Sequence, residues 1–178
     1  MSKEHAKLNE DQMSGYFRAN VGAVIINGDG LVFAAERSKI PGAWQLPQGG
    51  INLGEKEEQA VLREIQEELG FDERDIGNLL QRLPKESGWF AYQLPEIEWS
   101  GKNGRGQTQK FFAYRFVGLD KQLDERFEEQ KKQKKQAGKE IEFGDWKWER
   151  MSDLTEKAWP IRRPVYEAVE RAFSEYLA

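Results

Sequence analysis

Glu64, Glu67 and Glu68 stand at i, i+3 and i+4 in a stretch with a helical apolar rhythm. On an α-helix these spacings put all three carboxylates on one face. Like charges so placed repel, at about a few tenths of a kcal/mol per pair in an isolated helix. A divalent cation removes that cost, and hard carboxylate oxygens suit Mg2+ or Mn2+. Elimination points the same way. The chain has no cysteine and one histidine, His5. That rules out thiolate metal sites and cysteine nucleophiles, and nearly rules out histidine triads and zinc clusters. Acid–base work must come from Asp, Glu, Lys, Tyr or a water held on a metal.

The element that must carry these carboxylates is a helix over residues 54–69. Val61, Ile65 and Leu69 form its apolar stripe at i, i+4 and i+8, flanked by Leu62. Gly70 follows where a left-handed C-cap is expected. Gly49, Gly50 and Gly54 precede it, where the backbone must turn tightly and where a substrate can approach the main chain. A helix start also favours anions. The loop is not a P-loop, because Gly54 is followed by Glu55 and Lys56 rather than by Lys and Ser/Thr. A Gly-x-Ser-x-Gly elbow is also missing.

Around the helix, residues 17–27 and 31–37 read as strands joined by the turn Gly28-Asp29-Gly30. Residues 44–48 read as a short extended piece. Residues 79–83, 89–94 and 110–117 read as further strands, with a Gly-rich polar loop at 100–106, and 141–148 looks extended. Residues 164–177 read as a closing amphipathic helix, with Pro164 in its first turn. Residues 120–140 are almost all charged or Gln and read as a solvated helix or a mobile insertion. Strands, one long helix, more strands and a final helix imply a mixed α/β sandwich.

The bulk numbers set the frame. A chain of 178 residues suits one domain, expected over 16–178, behind a flexible leader at 1–15. Hydrophobic residues make up 38% and charged residues 33%, which marks a globular composition with a polar surface. Without an apolar run long enough for a bilayer, or a signal-peptide stretch, no membrane association is expected and the cytoplasm is the default location. A net charge of −4 argues against gripping DNA or other long nucleic acid through a broad basic surface. A local basic pocket for a short polyphosphate remains open.

Seven letters have fixed places in the pattern around the helix: Gly49, Glu55, Arg63, Glu64, Glu67, Glu68 and Gly70. At average usage of roughly one in fifteen each, chance agreement at one start site is on the order of one in a hundred million. The pattern resembles the Nudix box, Gly-x5-Glu-x7-Arg-Glu-apolar-x-Glu-Glu-x-Gly-apolar, with Ile65 and Phe71 in the apolar places. The resemblance implies a Nudix-type α/β/α sandwich with a mixed β-sheet and a loop–helix–loop catalytic motif. It implies a metal-dependent phosphoanhydride hydrolase in which Glu64, Glu67 and Glu68, with Gly49 through its main chain, hold Mg2+ or Mn2+. Glu55, Arg63 and Gly70 would be structural members of the motif.

Flanking residues narrow the resemblance. Trp44-Gln45-Leu46-Pro47-Gln48-Gly49-Gly50 and Tyr16-Phe17-Arg18-Ala19-Asn20-Val21-Gly22 are similar to signatures of a subgroup that contains RNA 5′-pyrophosphohydrolases and dinucleoside polyphosphate hydrolases. The similarity runs from about residue 16 to the C-terminus. It implies a nucleotide polyphosphate or an RNA 5′ end as substrate. RNA is slightly favoured, diadenosine polyphosphate is the alternative, and a non-catalytic nucleotide-binding module is a remote one. Arg18, Arg37, Lys110 and Arg162 align with phosphate-contacting positions of the family. Glu142 resembles a glutamate outside the box that approaches the metals, and either it or Glu67 would be the base; catalytic work is thus expected of Glu64, Glu67 and Glu142. Ile161 stands where some RNA-acting members carry a base-stacking aromatic; Phe90, Tyr92 or Trp146 are the alternatives for stacking, although core packing is the role expected of each.

Overall fold

Residues 16–100 and 104–178 are described by a computed structural model of the chain. Its centre is a seven-stranded sheet. Strand β1 (Phe17–Ile26) runs parallel to β6 (Gly106–Phe116), in register from Phe17↔Gly106 to Ile26↔Arg115. Every other ladder is antiparallel. β1 meets β2 (Val32–Arg37) and β4 (Gln48–Gly50), and β2 meets β3 (Trp44–Gln45) and β7 (Phe143–Glu149). β6 meets β5 (Leu80–Gln93). The sheet is therefore mixed.

The apolar runs of β1 and β2 follow from burial on both faces. Val21, Ala23 and Ile25 point to one core, while Val24 and Ile26 point to the other. Helices α1 (Glu57–Leu69) and α3 (Asp120–Gln136) cover the first face through Val61, Ile65, Leu69, Leu123 and Phe127. Helices α4 (Met151–Lys157) and α5 (Arg163–Ala172) cover the second through Met151, Leu154, Val165, Tyr166 and Val169. This is the expected α/β/α sandwich. A short helix α2 (Glu73–Leu79) links α1 to β5.

Several sequence expectations need correction. Helix α1 starts at Glu57 rather than at residue 54, because Gly54 adopts φ 78° in a turn before the N-cap Lys56. Gly70 is the left-handed C-cap as expected, its N–H donating to the Gln66 carbonyl. The strands read at 79–83 and 89–94 are parts of one strand, β5, whose register shifts between Arg82 and Glu86 and again between Glu86 and Trp89. Pro84, which has no N–H for a ladder, lies in the first irregular stretch. At the second, the buried Ser87 hydroxyl accepts the Phe111 amide at 2.8 Å in place of a backbone partner. Helices α2 and α4 were not anticipated. α2 carried a readable sign, since Asp72 and Asp75 each accept the other's backbone N–H in a capping box. The closing helix ends at Ala172, before a 3-10 turn at Ser174–Tyr176.

Residues 120–136 of the charged segment form helix α3, which is exposed on most of its surface but packs one face against the first core. Leu123 and Phe127 are completely buried in the first core, and Gln130 is buried beside them. The leader expected at 1–15 and the tip of the 100–106 loop lie outside the described residues.

Candidate active site

The segment between β2 and α1 builds the site by changing partners midway. Trp44 and Gln45 pair with Glu36 and Ala35 of β2, and then Gln48, Gly49 and Gly50 pair with Gly22, Val21 and Asn20 of β1. Leu46 and Pro47 bridge the change. The Leu46 amide donates to the buried Tyr166 hydroxyl at 3.0 Å, and the Pro47 carbonyl accepts from Ala23 at 2.9 Å. The hop brings Gly49 against α1 and leaves Trp44 and Gln45 facing α5.

At Gly49 a Cβ would lie 1.9–2.3 Å from the Glu64 carboxyl group, so only glycine leaves room for that carboxylate. Gly50 is equally committed. Its carbonyl accepts from Arg63 Nη2 at 2.7 Å, and a Cβ there would lie 2.4 Å from Arg18 Nη2. Arg63 joins the parts. Its Nε and Nη2 hold Glu55 at 2.8 and 3.0 Å, its Nη1 meets Glu64, and Glu67 lies 3.6 Å from Nη1. Glu55 also accepts the Asn52 amide at 2.9 Å, which closes the loop before the helix. The Glu55 partnership raises the Arg63 guanidinium further above its ordinary value, and the same contact lowers the Glu55 carboxyl.

The carboxylates on α1 occupy very different surroundings. Burial raises the Glu64 carboxyl above its usual range, Arg63 opposing this and Glu67 and Glu142 adding to it. Glu68 is only 3% exposed, and its carboxylate oxygens make no hydrogen bond of normal geometry among the described residues, although the Gln48 backbone amide lies close enough to favour the ionised form. Burial raises it well above the usual carboxylate range, with the charges of Glu142 and Glu64 reinforcing the shift. Glu67 is exposed, its side chain 57% accessible. Glu142, exposed just before β7, has its carbonyl bonded to the Ser38 amide at 2.9 Å, and its charge acts on both Glu64 and Glu68. The charges of these acids thus act on one another, although no three acidic side chains among the described residues converge into a ready-made cation site.

On the α5 side lies a cavity of about 540 Å3 that contains Arg37, Trp44, Trp159, Arg162 and Tyr166. Arg162 is fixed by Gln45 Oε1 at 3.1 Å and by the Tyr92 hydroxyl at 3.4 Å. Burial raises the Tyr166 phenol, with the charge of Arg162 opposing the shift. Arg37 and Arg162 both line this cavity, and Arg18 lies over Gly50. Lys110 is elsewhere. It is paired with Glu57 at 2.8 Å and Glu86 at 3.3 Å, in a groove at the start of α1.

Phe90, Tyr92 and Trp146, which could have stood in for the aromatic missing at Ile161, take the packing roles expected of them. Trp146 stacks on Phe33 at 5.7 Å between ring centroids, Tyr92 is buried and bonded to Gln107, and Phe90 packs against the second core. The cavity offers Trp44 and Trp159 instead. Trp159 is 45% exposed, and Lys147 sits over the Trp44 ring at 4.1 Å. Sequence reasoning missed both as site residues, although Trp44 stood inside a signature and Trp159 two places from Ile161.

The NUDIX domain family matches residues 16–169 of the chain. The RNA pyrophosphohydrolase of Cereibacter sphaeroides is 37% identical over 175 residues, covering 94% of this chain and 97% of that protein. The RNA pyrophosphohydrolase of Rhodospirillum rubrum is 40% identical over 157 residues, covering 86% and 84%. Nudix hydrolase 25 of Arabidopsis thaliana is 36% identical over 170 residues, covering 90% and 88%. Among solved structures, the Ap4A hydrolase of C. elegans superposes with a TM-score of 0.58 at 20% identity, covering 92% of this chain and all of that one, a likeness of fold.

Proposed function

The chain belongs to the Nudix hydrolase family, and from that premise we infer that it is an RNA 5′-pyrophosphohydrolase, converting a 5′-triphosphate end to a monophosphate. The observation that carries this reading is the near end-to-end similarity to proteins named RNA pyrophosphohydrolase in several bacteria. A cytoplasmic location fits that activity, and no helix among the described residues is long and apolar enough to cross a membrane.

Nudix hydrolases generally depend on a divalent cation, and the residues here fit one. The Glu68 oxygens are buried without a hydrogen bond of normal geometry, the missing Gly49 side chain makes room for the Glu64 carboxylate, and these groups are hard oxygen donors. Glu64, Glu67, Glu68 and the Gly49 carbonyl would hold it, with Mg2+ preferred and Mn2+ able to replace it. When bound, the ion supplies charge neutralisation for the polyphosphate and acidifies water. The chain's own groups do the rest. Arg63 holds Glu64 in place through a contact braced by Glu55 and Gly50. Arg37 and Arg162 sit where they can pair with phosphate oxygens, which suits a guanidinium fork. Arg18 is a further contact at the edge of Gly50. Trp44 and Trp159 line the same cavity as those arginines and are the aromatics available there to stack a base. Glu142 and the exposed Glu67 are the groups placed to accept a proton.

The alternative is cleavage of a diadenosine polyphosphate, which Ile161, partly buried in the second core, leaves open. The test is a rate comparison. Purified protein with Mg2+ receives equal concentrations of 5′-triphosphorylated oligoribonucleotide and diadenosine tetraphosphate. Faster appearance of 5′-monophosphorylated RNA is expected. Faster ATP release would overturn the RNA assignment. Turnover of neither, with or without Mn2+, would overturn the hydrolase assignment.

A further inference from the structure

Helix α3 carries two rows of contacts that lead to the acidic cluster. One row, at 123, 127, 130 and 134, faces the first core and α1. Leu123 and Phe127 are fully buried. Next along the row, Gln130 Nε2 donates to the Glu68 carbonyl at 3.2 Å, and Lys134 Nζ donates to the Glu67 carbonyl at 2.8 Å. Gly70 sits so close that a Cβ there would lie 2.3 Å from the Arg126 carbonyl. The second row, at 120, 124 and 131, faces β7. Asp120 accepts from the Trp148 indole at 2.9 Å, Asp124 from Trp146 at 3.2 Å, and Lys131 Nζ donates to the Gly144 carbonyl at 2.8 Å.

These rows connect two elements that would otherwise be independent. The last turn of α1 presents Glu67 and Glu68, and the approach to β7 presents Glu142. Their charges repel, and the last turn of α1 has no basic residue of its own to satisfy its terminal carbonyls. Lys134 and Gln130 fill that role from a neighbouring helix. Gln130 is also a polar residue in a row of apolar ones, with its Oε1 buried and unpartnered among the described residues, so its presence costs stability that a leucine would not.

We propose that α3 is the clamp that holds the α1 carboxylates and Glu142 in one frame, and that Gln130, Lys131 and Lys134 are positioning residues for cation binding. They hold main-chain carbonyls, the charge of Lys134 also reaches Glu68, and none of them touches substrate or ion. The work of ordering like-charged ligands is then done during folding, so cation binding need not repeat it. This rests on the reading of Glu64, Glu67 and Glu68 as cation ligands.

The test uses the whole chain and Mn2+ as probe. Free Mn2+ is titrated into wild type, Gln130→Leu, Lys134→Met and Lys134→Arg and followed by electron paramagnetic resonance, with the melting temperature of each metal-free protein measured alongside. Gln130→Leu is expected to fold with equal or higher melting temperature, because leucine continues the apolar row. It and Lys134→Met should weaken Mn2+ binding by about tenfold, in the range of losses seen when groups supporting metal ligands are removed. Lys134→Arg should restore most of the affinity. Turnover should fall at limiting Mn2+ and recover at saturating Mn2+. Unchanged Mn2+ affinity in both Gln130→Leu and Lys134→Met would overturn the clamp. No Mn2+ binding by wild type would instead overturn the cation site on which it rests.

Discussion

Replacing Glu68 by glutamine should make the metal-free protein more stable and less active. The side chain is 3% exposed, both carboxylate oxygens lack a hydrogen bond of normal geometry among the described residues, and Glu142 and Glu64 add like charge to its surroundings. Glutamine keeps the shape and removes the charge. Its own amide would still be poorly satisfied, so the gain is what wild type loses by burying a carboxyl whose ionised form is disfavoured there, about 1–3 kcal/mol at pH 8. For a chain of this size that corresponds to about 2–10 °C in melting temperature. The pH dependence has a definite sign. The folded-state carboxyl is raised above its ordinary value of 4.5, so above that pH the unfolded chain loses its proton first. Wild-type stability therefore falls as pH rises from about 4.5 to the raised folded value. The gap between variant and wild type should be small at pH 4 and widen on the way to pH 8. Glu64, also raised, leaves a smaller slope of the same sign in the variant. Turnover should fall more than about a hundredfold, and the stabilisation that Mg2+ gives the wild type should disappear. Differential scanning calorimetry in EDTA at both pH values, paired with the RNA assay, reads all of this. A Glu68→Gln protein that melts below wild type at pH 8 would refute the reasoning, because it would mean that the buried carboxylate is satisfied rather than waiting for a cation.

Gly49→Ala should cost activity out of proportion to stability. The new Cβ would occupy the place of the Glu64 carboxyl group, 1.9–2.3 Å away, and the flexible end of that side chain would move before the sheet does. A fall in turnover of more than about a hundredfold with a melting temperature within a few degrees of wild type is expected, and intact turnover would show that Glu64 can act from elsewhere. Trp159→Ala should raise KM for triphosphorylated RNA by about 5- to 150-fold, the equivalent of about 1–3 kcal/mol for one base–aromatic stack, with little change in kcat. Initial-rate kinetics over a range of RNA concentrations separate the two, and an unchanged KM would take the base away from this cavity.

What was legible in the sequence and what was not divide along a physical line. The carboxylate helix was legible because its information is local: Val61, Ile65 and Leu69 set its phase, Gly70 its end, and the three glutamates their shared face. The sandwich followed from the order of the elements, strands, one long helix, more strands and a final helix, and the apolar run of β1 is buried on both faces as that layering requires. Lys110 aligned with phosphate-contacting positions, yet its charge is already matched by Glu57 and Glu86, partners 53 and 24 residues away along the chain that no local pattern announces. The cavity pairs Gln45 with Arg162 across 117 residues, and its tryptophans come together only because Pro47 ends one strand pairing and begins another. Helix α3 was read only in part, for a different reason. Its composition is dominated by lysine, glutamate and glutamine, but its docking depends on two side chains, Leu123 and Phe127, each contributing about 1.5–3 kcal/mol when fully buried. The lysines that made it look solvated are among its attachments: Lys131 and Lys134 donate to main-chain carbonyls of the elements that carry Glu142 and Glu67. A charge count measures how much of a helix prefers water, whereas docking is decided by the narrow face that does not.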